Sequence, residues 1–427
     1  MILRDPVHGL IPFDTPEDQI IVRLLEAPEV QRLRRIRQLG VASFAFPGAE
    51  HTRFAHALGS AHVMRRLVAR LRDVQGDIAP AHRLDKRRAR EALAAALLHD
   101  VGHGPLSHSF EEALPNAPRH ETWSTRVILD RDTGVGKVLA DEDPELPAVV
   151  AELVRGHHEL AYLARAVSGT FDVDRCDYLL RDAHATGVPY GRYDLDWLLR
   201  ALTFAQTSGG EAPPLAIDGA KGIVSLESFV LARLFMHQQV YFHKAARAAE
   251  WMLCGILRRA TALLRDGSKL PGALPALASI AYHGDAPLGE YLELDDGALF
   301  VAMHAWESSS DSTLADLCRR IRGRSLFKTL ELYGTSEATR AAALATAREI
   351  AKKRGLAPDA YVGLDVASDT PFSDDDDPLT VLFPHRVAKK PGDVSFLLGR
   401  LRDETVTRVR LIFAPELREA ITAAIPA

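Results

Sequence analysis

Through much of the first 265 residues, apolar side chains recur at three- and four-residue spacing, the pattern of helices that bury one face. The segments EAPEVQRLRRIRQL, AHALGSAHVMRRLVARLRDV, KRRAREALAAALLHD and SFVLARLFMHQQVYFHKAARAAEWMLCGILRRATALL all carry it. Pro28 suits a first helical turn, where its missing N–H is no loss, while Gly102, Gly104 and Pro105 end the helix that runs through AAALL. Short apolar alternation at 215–225 predicts a small hairpin turning near Asp218 and Gly219.

From about Gly267 the composition shifts to GSKLPGALPAL, rich in proline and small residues. Helices are expected around 288–299 and 311–321, and strands at 361–366, 379–383, 394–398 and 406–413. The predicted fold is therefore mainly α, a helical core over residues 1–265 followed by a smaller α+β accessory module over 266–427. A chain of 427 residues is long enough for both. The run SDDDDP at 373–378 reads as a solvated loop, because adjacent like charges repel and lack the alternating ligands of a calcium loop.

Lys+Arg 52 against Asp+Glu 57 leaves a net charge of -5, which argues against a surface built to coat duplex DNA, so nucleic acid is not expected as the main partner. Cys176, Cys254 and Cys318 are three in number and far apart, giving neither a disulfide framework nor zinc-finger spacing. Met1 leads into ILRDPVHG without a basic, apolar leader, and no run of about 18 apolar residues occurs later. A cytoplasmic protein with no membrane partner, and no interaction domain ahead of the helical core, is the expectation.

The chemistry is concentrated in LLHDVGHGPLSH, where His99 stands beside Asp100, with His103 and His108 further on. So many imidazoles at a buried helix end are costly without partners. Neighbouring helical residues point about 100° apart, so His99 and Asp100 reach one cation only if other elements complete the shell. His56 and Asp174 are candidates, although Asp172, Asp177 and Asp182 offer the same chemistry nearby. Imidazole with carboxylate suits Mn, Fe, Zn or Mg, and a metal so held equips a protein for hydrolysis at phosphorus.

RFAHALG around His56, HDVGHGPLSH and DVDRCDYLLRD, in this order, resemble the HD-domain phosphohydrolases. DPVHGLI, QRLRRIRQLG and FPGAEHTRFAHALG are more narrowly similar to the deoxynucleoside triphosphate triphosphohydrolase branch, over about Asp5 to Lys244. The resemblance implies a helical HD core that converts a dNTP and water to deoxynucleoside and triphosphate. Other activities of the superfamily, nucleoside monophosphatase or phosphodiesterase, and a low-turnover nucleotide-responsive regulator or nucleic-acid-binding protein, are the rival readings.

What the resemblance implies for residues is specific. His56, His99, Asp100 and Asp174 would ligate a divalent metal (Mg, Mn, Fe or Zn), with Asp172 and Asp177 as helix-end or surface charges. His108 with Glu111, where the family commonly has aspartate, and His103 and His120 would surround the scissile phosphate as catalytic groups. Arg53, Arg175, Arg233, His237 and Lys244, the last three on one later helix, would hold the triphosphate, with Tyr178 packing or donating to it. Gln38 and Asp182 would bind the 3′-hydroxyl, and Leu39 and Tyr241 would crowd the 2′ position. Without such motif context, Arg32, Arg34, Arg35 and Arg37 read as surface charge, with a basic subunit interface or effector site as the alternative. A homo-oligomer, dimer or tetramer, and a nucleotide effector are further implied partners; for an effector, only Arg4 and Glu26 stand near the expected positions.

Overall fold

Three helices frame the centre of the molecule, and each begins on a side-chain cap. The His56 helix, Arg53–Val74, is capped by Thr52, which accepts from the Ala55 N–H. Asp85 caps Lys86–Leu98, which carries His99 at its C-terminal end, by accepting from Arg88 N–H. Asp172 caps the Asp174 helix, Val173–Thr186, and Gly187 closes it with φ 76°, a left-handed conformation glycine adopts without a Cβ clash. The alanines of ALAAALL are fully or almost fully buried and let these helices lie close. The computed structural model describes residues 1–205, 212–272, 274–373, 379–383 and 387–425. The acidic run at 374–378 lies outside them.

Nine strands accompany the helices among the described residues. At the N-terminus β1 (Ile2–Asp5) and β2 (Gly9–Pro12) make an antiparallel hairpin that the apolar pattern did not suggest. β3 (Leu202–Phe204) pairs with β4 (Leu215–Asp218). The C-terminal part holds β5 (Lys328–Glu331), β6 (Val362–Asp369), β7 (Thr380–Phe383), β8 (Val387–Lys389) and β9 (Val406–Phe413). β5, β9 and β6 form an antiparallel sheet over the helix Lys244–Arg265, whose apolar face joins a second buried core. β7 instead returns to β4 and pairs with it in parallel, so the accessory segment completes a sheet begun in the helical part.

The structure corrects several expectations. No hairpin turns at Asp218 and Gly219: Asp218 caps the helix Gly219–Met236, whose first turn uses the residues expected to form the second strand. Residues 394–398 are not a strand but the end of one short helix and the start of another, Phe396–Leu401, capped by Ser395. The long helical run is interrupted by a π-turn at His237–Tyr241 and restarts only after His243. Helix Pro28–Arg32 is short, with Pro28 at its start, and after a 3-10 turn the chain extends so that Arg37 bridges to Thr52. Arg32 is buried rather than superficial, donating to the carbonyls of Leu294 and His103.

Gly59 sits where the His56 and Asp174 helices touch, and a Cβ there would collide with the Asp177 carboxylate and the Arg181 guanidinium. These groups are themselves fixed, so Gly59→Ala is expected to lower stability by about 1–3 kcal/mol, the usual cost of overpacking. Gly289→Ala, which meets nothing within 4 Å, is expected to leave the urea midpoint unchanged or slightly raised.

Candidate metal centre and adjoining cavity

The helix ends bring His56, His99 and Asp174 together, with ligand atoms all within 4.8 Å of one another. His56 Nε2 lies 2.9 Å from Asp174 Oδ1 and 3.3 Å from His99 Nε2, and His99 Nε2 is 3.6 Å from Asp174 Oδ1. Asp100 Oδ2 stands 3.6 Å from His99 Nε2 and 3.8 Å from His56 Nε2. Each imidazole is oriented by its other nitrogen. His99 Nδ1 donates to the Ala96 carbonyl at 2.9 Å, and His56 Nδ1 donates to Asp177 Oδ2 at 2.8 Å. Two Nε2 lone pairs therefore face one another beside two carboxylates. That is an electron-rich donor set which a divalent cation satisfies, so the residues present fit a metal. Against burial, Asp174 and Asp177 push the His56 imidazole up to about 10, and the charge that attracts a proton to Nε2 attracts a cation equally.

Asp177 is not the surface charge expected from the sequence. It is wholly buried, and besides His56 it accepts from His8 Nε2 at 2.7 Å and from Arg181 at 2.8 and 2.9 Å. Arg181 also donates to Asp5, tying β1 to this network. Burial opposes the charge on Asp177, but Arg181, His56 and His8 hold its carboxyl well below the usual range. Asp172 is likewise buried, although its place as a helix cap agrees with a helix-end role. Sequence reasoning missed Asp177, Arg181 and His8. The spacing of Asp174, Asp177 and Arg181, three and four residues apart on one helix face, was the available signal.

A second imidazole group adjoins the first. The helix Lys86–Leu98 does not continue to His103, which is carried by the next turn. His103 stacks on His120 at 3.8 Å, and the ligand atoms of His103, His108 and His120 are mutually within 4.8 Å. Glu111 sits nearer His120 Nδ1, at 2.8 Å, than His108 Nδ1, at 3.7 Å, so its principal partner is His120. Burial works against the Glu111 charge, yet His108 and His120 hold its carboxyl far below the usual range. His103 is kept neutral by burial and by Arg53, and its buried Nδ1 has no partner among the described residues.

Beside these groups opens a cavity of about 520 Å³, lined by Arg53, His108, Tyr178, Asp182, Tyr241, Gln38, Leu39 and His237 among others. Both Asp182 oxygens are engaged, one by His51 Nε2 at 2.7 Å, a residue the sequence reading passed over, and the other by the Tyr241 hydroxyl at 2.8 Å. Buried Gln38 Oε1 has no hydrogen-bond partner among the described residues. Arg53 donates to Ser107 at 2.8 Å and is paired with Asp100. Arg175 donates to the Gly169 carbonyl, and Arg233 pairs with Asp369 at 2.6 Å. Lys244 is not brought to the cavity. It belongs to the helix after the π-turn and lines a separate basic recess with Arg324, Lys328 and Arg418.

The chain is similar to known proteins over most of its length. The HD domain model matches residues 53–182 and the HD associated region matches 193–270. The chain belongs to the HD-domain phosphohydrolase family, with deoxynucleoside triphosphate triphosphohydrolases among its relatives. It is 36% identical to the uncharacterized protein YwfO of Bacillus subtilis over 87% of this chain and 80% of that one. Similarity of 27% to the deoxynucleoside triphosphate triphosphohydrolase SAMHD1 homolog of Dictyostelium discoideum covers 82% of this chain and 64% of the relative. Against the cattle protein SAMHD1 identity is 28%, over 77% and 58% of the two chains, so the match spans under two thirds of these enzymes. A crystallised phosphohydrolase from Bacteroides thetaiotaomicron superposes with TM-score 0.81 at 28% identity, over 97% of this chain and 99% of that one. Among the described residues no helix is long and apolar enough to cross a membrane.

Because Asp177 orients His56 without facing the metal position, Asp177→Asn is expected to weaken metal affinity about 10- to 100-fold. Titration with Mn²⁺ or Zn²⁺, with helical circular dichroism retained, checks this; unchanged affinity would remove Asp177 from the centre.

Proposed function

We propose that this protein is a metal-dependent dNTP triphosphohydrolase, releasing deoxynucleoside and inorganic triphosphate. The observation that carries the reading is the cavity itself. Its lining joins His108 to a buried, unpartnered acceptor, Gln38 Oε1, and to the Asp182–Tyr241 pair. A buried acceptor without a donor is rare in a native fold unless a ligand supplies one, and a sugar hydroxyl does so. The relatives named as deoxynucleoside triphosphate triphosphohydrolases support the same substrate class.

In this reading His56, His99, Asp100 and Asp174 hold a divalent cation of the Mg, Mn, Fe or Zn type. Bound there, it supplies Lewis acidity that offsets phosphate charge and makes water a better nucleophile. Water attacks the α-phosphorus and the bond to the sugar 5′-oxygen breaks. His108, exposed toward the cavity, donates the proton that the leaving 5′-oxygen requires, while Glu111 orients His120 beside it. His103 presents its free Nδ1 to a donor near the same phosphate. Arg53, Arg175, Arg233 and His237 take the phosphate charge, exchanging carbonyl and carboxylate partners for phosphate oxygens, and Tyr178 packs beside them. Gln38 and Asp182 bind the 3′-hydroxyl, and Leu39 and Tyr241 fill the space a 2′-hydroxyl needs. A catalytic core over residues 1–265 with an accessory module over 266–427, homo-oligomeric assembly, a nucleotide effector and a cytoplasmic location belong to the same reading.

Incubation with each dNTP and NTP, singly and mixed, under Mg, Mn, Fe or Co is expected to yield deoxynucleoside and intact triphosphate on chromatography. Orthophosphate or pyrophosphate as the sole inorganic product would move the protein to another HD phosphohydrolase activity. His108→Ala is expected to keep its metal content and lose about 10²- to 10⁴-fold in turnover, the range of a general acid. Leu39→Ala or Tyr241→Ala is expected to lower the ratio of kcat/KM for dGTP over GTP. A wild-type ratio near one would remove the sugar gate.

A further inference from the structure

The motif DPVHGLI has no task in the nucleotide chemistry, yet it builds the N-terminal hairpin. Pro6, Val7 and His8 form the turn between β1 and β2. A hairpin turn is normally bathed in solvent, but here the side chains of Asp5 and His8 are only 3 and 4% exposed. Two polar groups buried at such a place are costly unless each is paired.

Their partners form a closed ring. Asp5 Oδ1 accepts from the backbone N–H groups of Val7 and His8, both at 2.9 Å, which shapes the turn. Asp5 Oδ2 takes Arg181 Nη1 at 2.8 Å. Arg181 goes on to Asp177 through Nε and Nη2, at 2.8 and 2.9 Å, and His8 Nε2 donates to Asp177 Oδ1 at 2.7 Å. The ring therefore runs from Asp5 through Arg181 and Asp177 to His8 and back to Asp5. Two of its members come from the hairpin and two from the Asp174 helix. His62, on the His56 helix, packs against the His8 ring with centroids 5.2 Å apart.

Asp177 is also the group that accepts from His56 Nδ1, at 2.8 Å. Each of its oxygens thus has two donors: His8 and Arg181 on Oδ1, His56 and Arg181 on Oδ2. A carboxylate offers about four acceptor directions, so all are in use and the group has no freedom to turn. Without His8, Oδ1 keeps an unpaired direction in a site sealed from water, and the carboxylate shifts toward the donors that remain. That shift draws Oδ2 off the line to His56 Nδ1 and so misaims His56 Nε2, because the second nitrogen fixes how a ligand imidazole points. We propose that His8 is a positioning residue of the candidate metal centre, and that through it the docked hairpin and a divalent cation at His56, His99 and Asp174 stabilise one another. The inference rests on the metal reading given above and adds the hairpin as a segment that sets metal affinity.

Calorimetric titration with Mn²⁺, read beside the thermal midpoint and amide exchange, tests it. His8→Ala is expected to weaken Mn²⁺ binding about three- to tenfold, below the roughly 10- to 100-fold cost of losing a ligand's direct partner. His8→Gln, whose amide can donate from nearly the place of Nε2, is expected to restore most of that affinity. His8→Asn, which is too short to reach Asp177, is expected not to, and this pair carries the comparison if His8→Ala does not fold. Coupling is reciprocal, so Mn²⁺ is expected to slow exchange of the Val7 and His8 amides in the wild-type protein and to lose that effect in His8→Asn. A lowered thermal midpoint with unchanged Mn²⁺ affinity would make His8 a structural pin and overturn the proposal. Mn²⁺ binding that leaves the exchange of both amides unaltered would overturn it too. If the wild-type protein binds none of Mn²⁺, Zn²⁺ or Co²⁺, the metal centre itself fails and takes this inference with it, an outcome distinct from the other two.

Discussion

The buried carboxylate of Asp177 is the constraint on which the rest depends. Removing a carboxylate from water costs several kcal/mol after relaxation, and this one is recovered by donors from three separate parts of the chain: His56 on one helix, Arg181 on its own helix, and His8 from the N-terminal hairpin. Each donor gains position in return. Arg181 reaches on to Asp5, His8 is drawn under the helix pair, and His56 is turned so that Nε2 faces Asp174 and His99. Gly59 is the complement of this network, since only a residue without a Cβ leaves room for the carboxylate and guanidinium.

From that anchor the site is built outward through successively more distant parts of the chain. The group that could hold a metal sits on helix ends, where caps set the backbone and the orientation of each imidazole is fixed by its second nitrogen. The His103, His108 and His120 group stands on a turn and two helix starts, and is organised by stacking and by Glu111. The cavity wall comes from still more distant segments: Gln38 and Leu39 from the stretch before the His56 helix, Tyr241 from the π-turn, Glu250 from the helix beyond it. The π-turn is what breaks the long helical run, and π-turns are frequent at functional sites. Here it carries a tyrosine whose hydroxyl reaches Asp182.

Arg53 lines the cavity and rests on Asp100, while Arg175 and Arg233, which are not part of that lining, rest on the Gly169 carbonyl and on Asp369. Glu112 and Glu250 line the same cavity on either side of Arg247 in the contact network, at 3.9 and 2.8 Å from its Nη1.

The helical character of the core and the family resemblance were legible in the chain because amphipathic spacing and the ordered His and Asp motifs are local properties. His56, His99 and Asp174 are brought together as their motif context implied, and the strands expected near 361–366, 379–383 and 406–413 are present. Partnership was not legible. The hairpin expected at 215–225 became a strand and a helix because β4 pairs with β3 and β7, the latter from the far end of the chain, and Asp218 caps the helix Gly219–Met236. The strand expected at 394–398 became helical under the cap of Ser395. Asp177 read as a surface charge until packing set His56, His8 and Arg181 around it, and Lys244 was parted from His237 by the π-turn. The sequence by itself determined which side chains could bind a metal and which segments would be helical, since both depend on residue type and spacing. Tertiary structure alone decided which carboxylate is buried, which histidine nitrogen is free and where Glu112 meets Arg247, because burial and hydrogen-bond partnership are set by residues far away in the chain.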